Sequence, residues 1–253
     1  MKKVDLKKSW NRIAKSYQTE FFGTYGASKI TTKPMDFVGN VKGKKIIEVG
    51  SGAGQNSIIF AQRGAVATAI DFSEKQINYG RLLAKKHKVD VNFIVGDLNN
   101  LEKYFEKNKF DIAFSTYTFQ YIENLDKLLH AVNRILKKNG LFVFSLDHPM
   151  FTSGSWLKVK NKEHFFVNDY FKRRKIFSVW RFKGGVQAKF YLHHRPLQDF
   201  FDALVKNNFT VEKIVEPEPL ELYKNPPKGY GSWKVKKGIP YMIIFKARKI
   251  SNI

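Results

Sequence analysis

The sequence contains no cysteine among its 253 residues. This absence excludes a disulfide framework, a thiolate zinc site, an iron–sulfur cluster and a cysteine nucleophile. Long hydrophobic runs are missing too, because no stretch approaches the roughly 20 apolar residues that a membrane-spanning helix needs. Residues 1–8 are already rich in charge and lack the apolar segment of a secretory signal peptide. We therefore expect a cytoplasmic protein that has no membrane partner.

Acidic residues are scarce: 22 Asp and Glu face 45 Lys and Arg, which gives a net charge of +23. Such a surplus favours an anionic partner such as RNA or a phosphorylated substrate. Most of these cations are lysines spread from end to end, a distribution that is also typical of a solvated surface. Nucleic acid is therefore one of two readings of the charge. With 43% hydrophobic and 15% aromatic residues, the composition excludes disorder as the main state.

From Lys44 onward, short apolar runs alternate with amphipathic segments, as in parallel βαβ units. Helices are expected over 53–63, from Ser73 onward with Gln76 completing a capping box, over the leucine stripe 125–136, and near 196–207. The predicted strands are 45–49, 66–71, 91–96, 110–115, 141–146, 210–216 and 239–247. These elements predict a Rossmann-like, doubly wound α/β fold with a seven-stranded, mostly parallel sheet.

Two segments depart from the alternation. Trp10, Ala14 and Tyr17 share one helical face, and residues 1–40 are expected to form a helical cap. Residues 148–195 lose the periodicity and are crowded with aromatic side chains, so we expect an insertion after the fifth strand. A loop rich in proline and glycine is predicted within 217–231. No linker interrupts the chain, which predicts a single domain over 1–253.

The strongest motif is the glycine-rich turn at 48–55, which follows the first strand and opens a helix. Residues without a Cβ allow a tight turn and let a ligand lie against bare backbone at the carboxyl end of the sheet. Asp71 closes the second strand, where a carboxylate can accept hydrogen bonds from both ribose hydroxyls. Asp97 and Leu98 follow the third strand and suit an exocyclic amine and a flat base. The pattern predicts a nucleoside ligand.

A nicotinamide dinucleotide is the first alternative for this ligand. Its G-x-G-x-x-G fingerprint, anchored at Gly50 and Gly52, demands a small residue at position 55, where this chain has Gln55. A pyrophosphate cradle is therefore disfavoured. A ligand with an adenosine end and no phosphates remains.

These motifs resemble those of the class I S-adenosylmethionine-dependent methyltransferases, type 11 and related small enzymes, over nearly the whole chain. Residues 110–117 are similar to the fourth motif of that family, and 136–142 resemble its leucine-lysine-proline-glycine turn, with Lys138 where proline is common. The resemblance implies an antiparallel last strand and S-adenosylmethionine as cofactor, with S-adenosylhomocysteine as product. It also implies in-line transfer of a methyl group to a substrate atom.

The resemblance further implies a cofactor site along the carboxyl ends of the strands. Glu48 and the glycines would hold the methionine half, Asp71 the ribose, and Asp97 with Leu98 the adenine. Aromatic faces near the methyl group would accommodate a sulfonium, with core packing as the alternative for each ring. The predicted cofactor contacts are Tyr17, Glu48, Gly50, Ser51, Gly52, Gln55, Asp71, Phe72, Gln76, Asp97, Leu98, Thr116, Tyr117 and Tyr121.

A general base is expected just past the fifth strand, in Asp147-His148-Pro149, because side chains at strand ends face the crevice. His148 is the preferred candidate and Tyr117 the second predicted catalytic residue. A histidine that is hydrogen-bonded structurally before a rigid proline is the other reading of His148. No base is needed if the nucleophile is a carboxylate or an unprotonated amine.

The other histidines are weaker candidates for a general base or a metal ligand. His193 and His194 form a second possibility for a base, and in an extended segment at most one of them points into the pocket. Gln120 stands where many relatives carry histidine, so a histidine base cannot be assumed there. The spacing of the histidines and carboxylates matches no metal-ligand motif, and no metal is predicted.

Three functions stay open from the sequence. The first is a small-molecule methyltransferase acting on an oxygen or nitrogen atom, with 148–195 and the amino-terminal helix as a lid. The second is a transfer RNA or ribosomal RNA methyltransferase that holds phosphates with the basic cluster 172–175, which is otherwise a solvated bend. The third is a cofactor-binding scaffold without activity, which the intact turn with Asp71 and Asp97 disfavours. The oligomeric state stays open.

Overall fold

A computed structural model describes residues 4–22, 33–218 and 238–250 of the chain. Eleven strands lie in this part of the chain, four of them within residues 148–195. Their bounds are β1 (Lys45–Val49), β2 (Val66–Asp71), β3 (Val91–Val95), β4 (Phe110–Thr116), β5 (Leu136–Asp147), β6 (Gly154–Val159), β7 (Lys162–Val167), β8 (Arg174–Arg181), β9 (Gln187–His194), β10 (Phe209–Val215) and β11 (Met242–Lys249).

Seven of the strands form the central sheet in the order β10, β11, β5, β4, β1, β2, β3. Neighbours pair in parallel except at β11, which is antiparallel to both β5 and β10. The predicted fold class and the antiparallel last strand are therefore confirmed. The carboxyl ends of β1 to β5 meet at one edge of the sheet, where open α/β folds bind ligands.

The helices are α1 (Leu6–Ser16), α2 (Gln55–Gln62), α3 (Glu74–His87), α4 (Leu125–Ile135), α5 (Pro149–Ser153) and α6 (Leu197–Lys206). Side chains cap four of them: Asp5 accepts from the Lys8 N–H, Ser73 from the Gln76 N–H, Asn124 from the Lys127 N–H, and His148 from the Met150 N–H. A π-helical turn (Tyr17–Phe22) continues α1. Short 3₁₀ turns cover Lys33–Phe37, Leu98–Lys103, Phe119–Tyr121 and Lys183–Gly185.

The sheet buries a core on each face, and β5 shows how the sequence assigns residues to them. Phe142 and Phe144 belong to the core that packs on α4 and α6, whereas Leu141 and Val143 belong to the opposite core. This alternation is the period of two that a strand imposes. Phe144 stacks on Phe142 at 4.7 Å and on Phe245 of β11 at 4.9 Å between ring centroids.

The predicted insertion after the fifth strand contains two antiparallel hairpins, β6–β7 and β8–β9, rather than irregular chain. Apolar residues lie on both faces of these ribbons, and this hides the alternation from which strands are predicted. Ala188 and Phe190 of β9 pack on Ile13 and Trp10 of α1 in a small separate core. The hairpin β8–β9 therefore lies against the amino-terminal helix.

Most element bounds match the predictions within a few residues. The largest difference is at β5, which begins at Leu136 because that residue pairs with Phe110 of β4. The capping box of α3 is half formed: Ser73 caps the helix, but the side chain of Gln76 bonds elsewhere. Residues 1–3 and 23–32 of the predicted cap and 219–231 of the predicted loop lie outside the described residues. Among the helices described, none is long and apolar enough to cross a membrane.

Candidate functional site

The glycine turn between β1 and α2 provides bare backbone at the carboxyl edge of the sheet. Gly50 has φ of 72°, and a Cβ there would lie 2.3 Å from the Oγ1 of Thr118, so only glycine fits. Gly52 has φ of 55°, but a Cβ there would meet no described atom within 4 Å. The backbone at Gly52 therefore borders open space, and a ligand can lie against it. Ser51 follows Gly50 and donates its N–H to Ile70 O at 3.0 Å.

Asp71, the last residue of β2, stands beside this turn. Its Oδ2 accepts from the Gly52 N–H at 2.9 Å and its Oδ1 from the Ser73 N–H at 2.8 Å. Burial to 7% exposure raises the pKa of Asp71 to about 6, against the hydrogen bonds from Ser73 and Gly52. The carboxylate is thus held in one orientation next to the open backbone, as a ribose-binding group requires.

Glu48, in β1, binds the first turn of the helix α2 that follows the glycine turn. Its carboxylate is 1% exposed and accepts from Asn56 Nδ2 at 2.7 Å, from the Ser57 N–H at 2.9 Å and from Ser57 Oγ at 2.6 Å. Burial raises the pKa of Glu48 to about 7, although the bonds from Ser57 and Asn56 oppose the rise. Both oxygens are therefore bound to the start of α2, and Glu48 fixes that helix to β1.

Gln55 and Gln76, two predicted cofactor contacts, are linked through Gln18. Gln55 Nε2 donates to Gln18 Oε1 at 2.5 Å, and Gln18 Nε2 donates to Gln76 Oε1 at 2.7 Å. This ladder ties the π-helical turn to α2 and α3. The buried Nε2 of Gln76 has no partner within the described ranges, so this amide nitrogen can donate to a ligand. Sequence reasoning missed Gln18 because nothing local marks a glutamine for contacts 37 and 58 residues away.

The adenine end of the predicted site lies past β3. Asp97 is exposed and accepts from the Asn99 N–H at 2.9 Å, which caps the turn Leu98–Lys103. Leu98 is buried in the core beside it. Phe72 is partly exposed next to Asp71. The structure therefore brings Asp71 and Asp97 to neighbouring strand ends, as predicted.

The end of β4 carries backbone strain. Tyr117 has φ of 53°, which is uncommon for a residue other than glycine, and its N–H donates to Ser145 O of β5 at 2.8 Å. Thr116 before it accepts from Asn56 Nδ2 at 3.3 Å. Strain of this kind clusters at functional sites. It turns the chain sharply at the end of residues 110–117, the stretch that resembles the fourth motif of the family.

An aromatic cluster around Trp10 adjoins the end of β4 through Tyr121. The ring of Trp10 lies edge-to-face with those of Tyr17 (5.2 Å), Tyr121 (6.0 Å), Trp180 (5.6 Å) and Phe190 (5.0 Å). Burial raises the pKa of the Tyr17 and Tyr121 phenols above the usual range. The charge of Asp147 adds to both shifts.

Asp147 ends β5 and directly precedes His148, the predicted base. Burial raises the pKa of Asp147 to about 7. Gln120 Nε2 donates to Asp147 Oδ2 at 3.3 Å, and Gln120 is 3% exposed. The buried Oε1 of Gln120 has no partner in the described part of the chain. The signal was available in the sequence, because Asp147 ends an apolar strand as Asp71 does.

Both ring nitrogens of His148 have partners. Nδ1 accepts from the Met150 N–H at 2.9 Å, so the proton sits on Nε2, which lies 2.6 Å from Glu216 Oε1. Burial lowers the pKa of His148, and Glu216 opposes that shift. These contacts match the structural reading of a histidine before a proline. The role of His148 as a base stays a prediction.

His193 and His194 are adjacent in β9 and project to opposite faces of the strand, as predicted. His194 lies 2.7 Å from Thr152 Oγ1 and 2.9 Å from Tyr170 O. Burial, with smaller contributions from Arg195 and Lys175, lowers the pKa of His193 to about 4. Within the described ranges, no three histidine, aspartate or glutamate side chains are grouped as metal ligands.

Comparison with known proteins gives a family match. The sequence profile of a family described as a methyltransferase domain matches residues 40–167. That stretch holds β1 to β5 and the glycine turn, and it spans half of the chain.

Relatives and solved structures extend the likeness beyond the matched stretch. A protein of Haemophilus influenzae is 28% identical over 262 residues, covering 96% of this chain and 99% of its own. The ubiquinone biosynthesis O-methyltransferase of Coxiella burnetii is 26% identical over 172 residues, covering 64% of this chain and 72% of its own. An S-adenosylmethionine-dependent methyltransferase from Mesorhizobium loti has the same fold, with a TM-score of 0.68 at 21% identity over 88% of this chain and 99% of that one.

Proposed function

The chain belongs to the methyltransferase domain family and is an enzyme whose cofactor is S-adenosylmethionine; from this premise we propose that it methylates an oxygen or nitrogen atom of a small-molecule substrate. The family match confirms the predicted family and enzyme class. The small-molecule substrate is the further step, and it rests on the cover over the carboxyl edge of the sheet.

The residues at that edge fit the cofactor. The open backbone at Gly52 would take the methionine half, Asp71 would accept from the ribose hydroxyls, and Asp97 would accept from the adenine amine. Tyr17, Tyr117 and Tyr121 would surround the sulfonium, whose charge aromatic faces stabilise. When bound, the cofactor supplies an electrophilic methyl group together with its leaving group. The protein then orients the acceptor and excludes water.

The aromatic cluster around Trp10 carries the proposal of a small substrate. It joins α1 and the hairpin β8–β9 to Tyr121, which follows the end of β4. An acceptor must therefore fit beneath a cover of rings at the strand ends. Enclosed, mostly apolar sites with a few polar groups are typical of small-molecule ligands. The segment 148–195 is proposed to act as the lid over this site.

The basic cluster 172–175 gives little support to the RNA alternative. Arg173 forms a two-pronged ion pair with Asp199, and Lys175 Nζ donates to Glu123 Oε1 at 3.0 Å. Arg174 donates to the backbone carbonyl oxygens of Asp169, Lys172 and Ser153. Three of the four cations are thus held by the protein itself and are less free to contact phosphates.

The test is a methyl-transfer assay with two kinds of acceptor. The purified protein is incubated with S-adenosylmethionine and either a panel of small amines and alcohols or bulk transfer RNA. We expect S-adenosylhomocysteine to form with a small-molecule class and not above background with transfer RNA. Methylated nucleotides in the transfer RNA, with no turnover of any small acceptor, would refute the proposal.

A further inference from the structure

We propose that Asp147 and Gln120, called here the acceptor pair, bind a primary amine, so that the substrate is methylated on nitrogen. The inference rests on the proposed function and names the acceptor group of that same site. It starts from the position of the pair: Asp147 ends β5, and Gln120 lies in the turn that follows β4. These are neighbouring strands at the edge where the cofactor contacts also lie.

The acceptor pair presents oxygens, because the amide nitrogen of Gln120 is engaged by Asp147 and by the phenol of Tyr121. Gln120 Nε2 is used on Asp147 Oδ2, an orientation that the carboxylate selects because the amide oxygen would be repelled there. The Oε1 of Gln120 is then left buried without a partner among the described residues. A buried acceptor without a donor is costly, and a ligand that donates to it recovers that loss.

The number of missing donors selects the ligand. One N–H or O–H is needed for Gln120 Oε1, and a second can go to the partly exposed carboxylate of Asp147. A hydroxyl group has one hydrogen to donate, whereas a primary ammonium has three. A primary amine therefore satisfies both oxygens at once, and an alcohol leaves one of them unpaired.

The surroundings of Asp147 agree with a cationic amine. The charge of Asp147 helps to raise the pKa of two phenols, Tyr17 in the turn after α1 and Tyr121 in the turn after β4. His148, the next residue, is engaged by Glu216 and Met150 instead. Aromatic rings stabilise a nearby ammonium, and Trp10 contacts both tyrosine rings.

The proton balance of the reaction requires Asp147 to act as a general base as well as to bind the amine. A bound ammonium must lose one proton before its nitrogen lone pair is free, and the Asp147 carboxylate accepts that proton. Burial favours this transfer because it raises the pKa of Asp147 to about 7. The lone pair then forms the N–C bond while the C–S bond breaks and its electron pair goes to sulfur. The product leaves as a methylammonium, and Asp147 returns its proton to water.

The test uses matched probes that differ in the donor group alone. Tryptamine and tryptophol, phenethylamine and phenethyl alcohol, and N,N-dimethyltryptamine are titrated by calorimetry at pH 8 into protein saturated with S-adenosylhomocysteine. We expect each primary amine to bind at least about tenfold more tightly than its alcohol. The dimethylated amine, which keeps one N–H when protonated, should lose most of that advantage. The amine preference should also weaken below pH 7, where Asp147 is protonated.

Variants assign the preference to the acceptor pair. Asp147→Asn should abolish the preference for amines over alcohols and lower kcat for methyl transfer by about 100-fold or more. Gln120→Leu should reduce the difference in affinity between tryptamine and N,N-dimethyltryptamine. Glu123→Gln, a carboxylate-to-amide change at an exposed residue outside the pair, should change neither. If Asp147→Asn fails to fold, the wild-type probe series still decides.

Failure of this inference and failure of the proposed function look different. If S-adenosylhomocysteine binds but no primary amine is preferred over its alcohol, the assignment of the acceptor pair is overturned and the methyltransferase function stands. The same holds if the preference survives in Asp147→Asn. If S-adenosylhomocysteine itself does not bind, the proposed function fails first.

Discussion

At the residue scale, Asp71 and Asp147 hold similar places and differ in their partners. Each ends a buried strand, and burial raises the pKa of each, to about 6 and about 7. Two backbone N–H groups fix Asp71, whereas Asp147 receives one side-chain donor. A carboxylate with two fixed donors suits binding, and one with spare acceptor capacity and a pKa near neutrality suits proton transfer.

Gly52→Ala tests the position of the cofactor. The added methyl group meets no protein atom, so the cost in stability comes from the positive φ alone, about 1–2 kcal/mol. Gly39→Ala is the matched control, because Gly39 has φ of 77° and equally open surroundings. We expect similar losses of stability in denaturant titrations and a loss of S-adenosylmethionine binding in Gly52→Ala only. Intact binding in Gly52→Ala would contradict the placement of the ligand on this backbone.

The buried carboxylate of Glu48 makes stability depend on pH. Its pKa is about 7 in the folded protein against 4.5 ordinarily, so its stabilising contribution is complete below pH 4.5 and is lost as pH rises through 7. Asp71 and Asp147 act in the same direction, and His148 and His193, whose pKa values are lowered, act in the opposite one.

Glu48→Gln isolates this contribution. The amide oxygen can keep the bonds from Ser57, and the amide nitrogen can donate to Asn56 Oδ1 once the Asn56 amide turns over. Between pH 5 and pH 8, wild type should therefore lose free energy of unfolding relative to Glu48→Gln. A difference between the two proteins that does not change with pH would show that Glu48 is charged throughout.

At the scale of elements, the parallel sheet could be predicted because its strands are buried on both faces and read as apolar runs. The hairpins β6–β7 and β8–β9 could not, since their exposed faces also carry apolar residues such as Leu157 and Phe177. The glycine turn, Asp71 and Asp97 could be predicted because they follow strands directly. Gln18 could not, because its role depends on two helices that only the fold brings together.

Gln18→Leu tests whether the glutamine ladder organises the site. Loss of the Gln18 amide removes the hydrogen bonds from the π-helical turn to α2 and α3, and leaves Gln76 Oε1 without its donor. We expect S-adenosylmethionine to bind about tenfold more weakly, at a cost in stability of about 1–2 kcal/mol. Thr19→Ala on the same turn removes one exposed hydrogen bond to Lys15 O and should leave affinity unchanged. Equal affinities in both variants would limit the ladder to a structural role.

At the scale of the whole molecule, the charge excess is the dominant feature. A net charge of +23 destabilises a folded chain through self-repulsion, which salt screens over a Debye length of about 8–10 Å. Several acidic side chains are already engaged, as in the pairs Asp111–Lys137, Asp126–Lys206 and Glu212–Arg248. Most lysines in the described ranges are exposed, so much of the surplus charge there faces solvent.

Salt dependence of stability follows from this excess. Raising sodium chloride from about 20 to about 300 mM should raise the melting temperature, because screening removes more repulsion than exposed ion pairs contribute. The measurement is a thermal melt at constant pH without phosphate or sulfate. A melting temperature that falls with salt would mean that surface ion pairs outweigh the repulsion.

The most direct test of the central claim is calorimetric titration of the purified protein with S-adenosylmethionine and, separately, with NAD. The open backbone at Gly52 beside Asp71, with Gln55 in place of a small residue, predicts micromolar binding of S-adenosylmethionine and no binding of NAD. Asp71→Ala should weaken that binding strongly, because the ribose loses its carboxylate. Binding of NAD, or of neither ligand, would contradict the assignment of this site.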